Sequence, residues 1–579
     1  MENNKKLHLI LCWHMHQPDY RNLTTGEFTL PWTYLHATKD YTDMAWHLEH
    51  SKVKAVVNFV PILLDQLEDY ARQFKEGRVR DPLLSLLPRD DLESLTAEER
   101  QHILDSCFRS DHAKMIEPYP PYRRLFELYK LIQGPGGSRQ EYLSPQYMAD
   151  LLVWYHLVWM GETVRRESDL VVRLMAQGCD FTASDRRKLY HLIGELIGNL
   201  VPRYRKLAQS GRVELSSTPY HHPIAPLLID FKSARESNPD SSLPDSPAYP
   251  GGRTRVVAHI QAACDSHRQR FGAKPVGMWP AEGGVSMETL RLMAEHGCRW
   301  AATGQGVLVN SLHNTGHDAA LPEKHAYLYR PYQIDGLDGL TCFFRDDTLS
   351  DLIGFEYAKW YGSDAVNHFI QQLEAIWRST PEGEEPVVSV IMDGENAWEY
   401  YPYNGYYFLS GLYAALHEHP FIRTTTFRDH LEFCAERETH ADRHLPCAER
   451  GFLPKLTAGS WVYGNFSTWI GDPAKNRAWD LLCAAKASFD MVMASGRLTA
   501  EEQEAARSHL SDCEGSDWFW WFGDYNPEIS VSSFDKLFRD NLAILYDLLK
   551  LPSPPDLKRS ICRGSSTAVE AGGTMRRST

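Results

Sequence analysis

Over roughly its first 400 residues this sequence alternates short apolar runs with longer helix-period stretches, and that alternation restricts the fold more than anything else in it. Strand candidates fall at 7–16, 54–61, 212–218, 275–279, 299–303, 325–334, 340–345 and 386–392. Most are continuous apolar runs of about four to eight residues, the form taken by strands covered on both faces. Helical patterns lie between them, at 147–164, 186–208, 253–271, 287–296 and 364–378. Repeated strand–helix units predict a parallel sheet, and this many of them predict a barrel.

The spacing is uneven. Residues 63–207 read as mostly helical, with a loop at Gly134-Pro-Gly-Gly137. That is too long for one crossover and is expected to be a helical insertion over one end of the barrel. A second connection, 230–252, is rich in Pro, Ser and Asn and is expected to be a mobile loop. Beyond Tyr407 helices dominate, at 411–417, 427–438, 473–494, 499–511 and 533–550. The expected division is a barrel unit over 1–407, a helical domain over 408–550, and a disordered tail over 551–579 that is poor in apolar residues. Gly304 and Gly306 open a Gly-x-Gly, but Val309 stands where the third glycine of a dinucleotide fingerprint belongs.

Composition narrows the function classes. The net charge of −15 opposes general binding to nucleic acid or anionic membranes, since counterion release would not drive it. The apolar run 7–12 is broken by His8 and followed by Trp13-His14, too short and polar for a signal peptide. No run approaches the roughly 18 apolar residues of a spanning helix. The 11 cysteines are scattered without a Cys-x-x-Cys pair, which predicts buried free thiols and a cytoplasmic location. Aromatics reach 12%, and many keep polar company, as in Trp398-Glu399-Tyr400-Tyr401. Flat apolar faces among carboxylates and amides are what a sugar-binding surface requires.

Five segments concentrate chemistry, four of them where a barrel strand should end, the face on which such barrels carry their active sites. In Trp13-His14-Met15-His16-Gln17-Pro18 the two histidines share a strand face, as metal ligands or as neutral donors to hydroxyls. Ser216–Pro223 carries His221 and His222, one a candidate ligand and the other packing. Trp279-Pro280-Ala281-Glu282-Gly283-Gly284 sets an acid beyond a strand, with glycines that admit a ligand to the backbone. Met392-Asp393-Gly394-Glu395-Asn396 crowds two carboxyl groups, which raises the pKa of one. The fifth segment is an aromatic belt in the helical region, holding Trp461, Tyr463 and Trp469, then Asp517, Trp518, Trp520 and Trp521. Two carboxylates from separate strand ends, ringed by Trp, His and Asn, meet the needs of glycoside hydrolysis.

Together with Leu35-His-Ala-Thr-Lys-Asp40, the motifs at 13–18, 279–284 and 393–399 resemble, in order and position, the family-57 glycoside hydrolases. The resemblance implies a distorted (β/α)7 barrel followed by an α-helical bundle, an α/β fold that acts on α-1,4-glucans such as starch, glycogen and maltodextrin with retention. It implies Glu282 as nucleophile and Asp393 as acid/base. It implies sugar contacts from His14, His16, Gln17, His222, Trp279, Glu395, Asp517 and the belt tryptophans, among them Trp461, Trp469 and Trp520. No cofactor or metal is implied, and the partner is an α-glucan or maltooligosaccharide. Seven strands are implied against the eight candidates above. Within the family the motif wording is closest to amylases and amylopullulanases; 4-α-glucanotransfer and branching use the same site. Two rival readings are a metal-dependent polysaccharide deacetylase or mannosidase using the histidines and Asp393, and a non-catalytic glucan-binding protein.

Overall fold

A computed structural model describes residues 5–22, 24–134, 137–138, 140–315, 323–439, 450–523 and 525–564. Seven parallel strands close into a barrel: β1 (Leu7–Met15), β2 (Ala55–Phe59), β5 (Val213–Ser217), β6 (Gly277–Met278), β7 (Trp300–Gly304), β9 (Thr341–Arg345) and β10 (Val387–Asp393). Their order is β10-β1-β2-β5-β6-β7-β9, and Ser389 opposite Arg345 closes the ring. A small hairpin, β3 (Gln133–Gly134) with β4 (Gly137–Ser138), lies in the helical run between β2 and β5.

The eighth candidate, 325–334, is extended only over β8 (Tyr332–Ile334), which runs antiparallel to β9 outside the ring. Its residues alternate buried, exposed, buried, the pattern of a strand with one wet face. On its other side it pairs with β12 (Gly451–Leu453).

Alternation along β1 separates two apolar clusters. Ile10 and Cys12 pack inside the barrel with Trp279, Trp300 and Phe343, while Leu7, Leu9, Leu11, Trp13 and Met15 face the helices. His14 follows Ile10 and Cys12 on the inner face, at the strand's carboxyl end. The barrel is distorted at β1. Its first half, Leu7–Ile10, pairs with β11 (Ile422–Thr425), and its second half, Cys12–Met15, pairs with β2. β11 carries no strand signal in the sequence, because Arg423, Thr424 and Thr425 break any apolar run. The expected boundary at 407/408 falls inside the helix Tyr406–Glu418, which packs on the helix Gly362–Ser379.

Helices from Pro61–Lys75 to Ala183–Gln209 fill the long connection after β2, and helices Pro473–Ser495, Ala500–Cys513 and Glu528–Leu548 form the later helical part. The segment 230–252, expected to be mobile, is held in place. It forms the short turns Phe231–Ser233 and Ala234–Ser237; Asp480 accepts from the amide of Ser246, and buried Tyr249 donates to Glu514 at 2.5 Å. Its polar residues find partners on the later helices, which composition cannot reveal. In the expected tail, Leu557 is buried and the amide of Ile561 donates to Asp535; residues 565–579 lie outside the described residues. No described helix is long and apolar enough to cross a membrane.

Candidate active site

The carboxyl ends of β1, β6, β9 and β10 open into one cleft of about 1250 Å³, which residues of the segments 461–475, 517–523 and 525–534 help to wall. His14, His16, Gln17, His222, Glu282, Asp393, Glu395, Trp461, Asp517 and Trp520 all line it.

Glu282 lies four residues past β6 in a left-handed backbone conformation, φ +56°. For a non-glycine residue this costs about 1–3 kcal/mol, and such residues cluster at functional sites. Gly283 follows at φ +59°, where a Cβ would come within 2.8 Å of the Trp279 ring. Oε2 of Glu282 accepts from the indole Nε1–H of Trp461 at 3.0 Å, and its carbonyl accepts from the Trp461 amide at 3.2 Å. Burial, then the charges of Asp393 and Asp517, push the Glu282 carboxyl up to about 8, against the opposing effect of the indole donor.

Asp393 closes β10, with the Asn396 amide donating to its Oδ2 at 3.0 Å. Burial raises its pKa, while Asn396, His16 and Arg345 oppose the rise. Glu395 is buried deeper. Its Oε1 accepts from the amide of His16 (3.0 Å), from Tyr41 Oη (3.2 Å) and from Gln17 (3.4 Å). Burial, then Asp393, raises Glu395 well above the ordinary range.

The histidines form a stack, His16 on His222 at 3.9 Å and His14 on His222 at 5.2 Å between ring centroids. Their partners assign the tautomers. Asn58 donates Nδ2–H to Ser216, so its Oδ1 accepts from Thr218 and from His14 Nδ1–H (2.6 Å). His14 Nε2 then accepts from His222 Nε2–H at 3.2 Å, and His222 Nδ1 accepts from Ser516 at 2.8 Å. Burial and then the neighbouring His16 lower His14 to about 3, and burial likewise lowers His222, so both rings are neutral near pH 7. His16 Nε2 donates to Asp517 at 2.9 Å. The ligand atoms of His16, His222 and Asp517 lie within 4.8 Å of one another, the donor set of a small divalent cation. Holding an ion there would displace the His16–Asp517 and His222–His14 hydrogen bonds.

A buried ion cluster locks the helical part onto the barrel beneath this stack. Glu514 accepts from Arg255 (2.8 Å), His259 (2.7 Å) and Tyr249 (2.5 Å). Burial alone would raise its carboxyl, but Arg255 and His259 outweigh it and hold Glu514 at about 2. The amide of Ser516, two residues on, donates to the carbonyl of His222.

Residues 10–445, most of the chain, match the family model described as glycosyl hydrolase family 57. The chain belongs to that family. As a family 57 member it is an enzyme of the glycoside hydrolase class. No curated protein matches its sequence. Three solved structures share its fold at 14–15% identity. The family 57 branching enzyme of Thermococcus kodakaraensis aligns with TM-score 0.57 at 15% identity, over 93% of this chain and 90% of that one. The branching enzyme of Pyrococcus horikoshii (TM-score 0.54, 14% identity) and an α-amylase of Thermotoga maritima (TM-score 0.53, 14% identity) each align over 94% of both chains.

Two residues expected at the family 57 cleft do not line it. Trp469 is fully buried, its carbonyl accepting from Trp479, and it belongs to the main core. Trp279 is buried beneath Glu282, its ring edge-on to Trp461 at 5.3 Å, so it supports the cleft floor. Three further polar residues belong to the site or support it. Arg345, at the end of β9, donates Nε–H to the carbonyl of Ile391, and its guanidinium lies 5.1 Å from the Trp461 ring. The strand-end rule that selected Asp393 would have selected Arg345 as well. Lys475 also lines the cleft, donating to Tyr525 Oη at 2.7 Å, and burial lowers it to about 8. Asn58 had a signal too, as an amide within the apolar run of β2.

Proposed function

We propose that this family 57 enzyme acts on α-1,4-linked glucans by double displacement, with Glu282 as nucleophile and Asp393 as acid/base. One observation carries the reading. Two half-buried carboxyl groups from different strand ends open into the same cleft, and the charge of one raises the pKa of the other. Such a pair keeps one proton between them near neutral pH, as a retaining glycosidase needs. The family resemblance assigns the roles. The Trp461 N–H favours the ionised form of Glu282 but does not cancel the rise, so in the free cleft the shared proton rests on Glu282 and has to pass to Asp393 before the first step.

In the first step Asp393 gives its proton to the glycosidic oxygen as the carboxylate of Glu282 attacks the anomeric carbon. The leaving chain departs as an alcohol and a glycosyl ester remains on Glu282. In the second step Asp393 takes the proton of the incoming hydroxyl, which attacks the same carbon and frees Glu282. His16 Nδ1, Glu395 Oε2 and Arg345 orient the sugar hydroxyls, while the neutral rings of His14 and His222, their nitrogens already paired, hold His16 in place. Buried Glu395 Oε2 and His16 Nδ1 have no partner among the described residues. An unsatisfied buried polar atom costs about 1–3 kcal/mol, which a polyhydroxylated ligand would offset. The cleft exceeds the roughly 300–1,000 Å³ of small-molecule pockets, in keeping with an oligomeric substrate.

The glycosyl ester can pass to water, giving amylase or amylopullulanase activity, or to a sugar hydroxyl, giving glucanotransfer or branching. Relatives of the same fold include branching enzymes and an α-amylase, and both outcomes fit this site. The unbridged state of every described cysteine supports a reducing compartment. The test uses an activated α-glucosyl or α-maltosyl substrate with azide. Asp393→Ala should form the α-glycosyl azide through the intact Glu282 ester, and Glu282→Ala the β-azide by direct attack. Exchanged products would reverse the assignment. A time course on maltoheptaose then separates hydrolysis, giving shorter chains only, from transfer, which also gives longer ones.

A further inference from the structure

Away from the cleft, exposed aromatic rings are gathered on one surface. Trp360, Tyr361, Tyr403 and Tyr407 are 40%, 82%, 57% and 55% exposed. Gly362 brings the first pair against the second, since a Cβ there would lie 3.5 Å from that of Tyr407. The rings of Tyr403 and Tyr407 meet edge-to-face at 5.5 Å. The Arg166 guanidinium lies over the same group, 4.3 Å from the centroid of Tyr406 and 5.1 Å from that of Tyr407, and donates to Tyr407 Oη at 3.1 Å. Tyr403 and Asn404 are consecutive non-glycine residues at φ +55° and +52°, a turn that side chains rarely adopt. None of these residues serves the reaction, and single chains rarely leave a contiguous aromatic surface in water without a ligand for it.

The patch adjoins the cleft through two chain segments. Asp351, Gly354 and Phe355 line the cleft, and Trp360 and Tyr361 follow them after consecutive helical turns. Asn396 lines it, and Tyr403 follows seven residues later, at most about 25 Å away for a fully extended chain. Its chemistry also matches the cleft, where an arginine lies over an aromatic ring in the same way, Arg345 on Trp461. Flat rings pack on the C–H faces of pyranoses, while the guanidinium and phenol groups bond their hydroxyls.

We propose that the surface formed by Trp360, Tyr361, Tyr403 and Tyr407 is a second, non-catalytic α-glucan site, which holds a polymer chain while another part of it occupies the cleft. This rests on the α-glucan reading above.

The test compares wild type with Tyr361→Ala/Tyr407→Ala, and with Tyr361→Ala alone should the double variant fold poorly. Each is run in native gels containing glycogen and assayed on glycogen and on maltoheptaose. The expected result is glycogen binding weakened about five- to tenfold in the double variant. KM for glycogen should rise to match, with kcat/KM on maltoheptaose within about twofold of wild type. Unchanged retardation of the variants overturns the inference. So does a concentration-dependent dimer lost in the variant while glycogen binding stays intact. A wild-type enzyme that acts on maltoheptaose but is not retarded by glycogen overturns this inference alone. One inert on every α-glucan overturns the reading beneath it.

Discussion

Trp461 grips Glu282 at two atoms: its indole N–H donates to the carboxylate at 3.0 Å, and its amide donates to the carbonyl at 3.2 Å. The loop that carries Trp461 comes so close to the barrel because Gly304 and Gly306 lack side chains. A Cβ on Gly304 would lie 2.6 Å from the Trp461 Cα, and one on Gly306 2.9 Å from Gly464. The Gly-x-Gly that fails as a phosphate motif is a docking surface for the wall of the cleft.

Replacing Trp461 by Phe keeps the ring and removes the donor. The charged form of Glu282 loses a hydrogen bond, so its pKa rises further. Since the nucleophile must be ionised, the acid limb of the kcat/KM profile should move to higher pH by up to about one unit. A pH–rate series on maltoheptaose checks this, and an unmoved limb would contradict it.

Asp517→Asn should move the same limb the other way. Its charge is one of the two that raise Glu282, and the amide removes it. The His16 contact weakens in the same variant, so the maximal rate should fall as the limb shifts to lower pH. The two variants compared in one buffer series give opposite signs, which no general loss of fold would produce.

Glu282→Gln should abolish turnover and stabilise the protein at alkaline pH. The folded carboxyl sits at about 8 against an ordinary 4.5. As pH rises between those values the unfolded chain gives up its proton while the folded one retains it, so wild type loses stability across that window. The variant should match wild type near pH 4.5 and exceed it by up to a few kcal/mol at pH 8, the gain limited because the carboxyl borders the open cleft. Thermal unfolding at the two pH values measures the difference.

Glu514→Gln tests the clamp. Here the folded pKa is depressed, to about 2 from 4.5, so the stabilisation is complete above 4.5 and disappears as pH falls toward 2. The variant should lose about 3 kcal/mol at pH 7, and much less at pH 3. Turnover should fall too, because Ser516 and Asp517 reach the histidine stack from the segment the clamp anchors. Urea unfolding at the two pH values, with kcat at neutral pH, reads both effects.

Thorough chelation should leave the rate unchanged, because Nε2 of His16 and Nε2 of His222 are engaged with Asp517 and His14. A loss of activity restored by zinc would establish the metal-dependent reading instead.

Much of the site could be read from strand ends. His14, Glu282 and Asp393 stand out because each follows an apolar run, and inward-facing residues at the carboxyl end of a barrel strand reach the cleft. The belt tryptophans could not be ranked in this way. Trp461 and Trp469 are eight residues apart in similar company, yet one walls the cleft and the other is core.

The sequence by itself determined where the seven ring strands lie, their parallel barrel class and the acids at their ends, since strand periodicity and apolar runs are properties of neighbouring residues. Tertiary structure decided that seven strands rather than eight close the ring, and that β11 inserts beside β1. It also decided that Trp461 meets Glu282 and Ser516 meets His222, across 179 and 294 residues. Contacts so distant in sequence depend on how whole elements pack, and no local spacing records them.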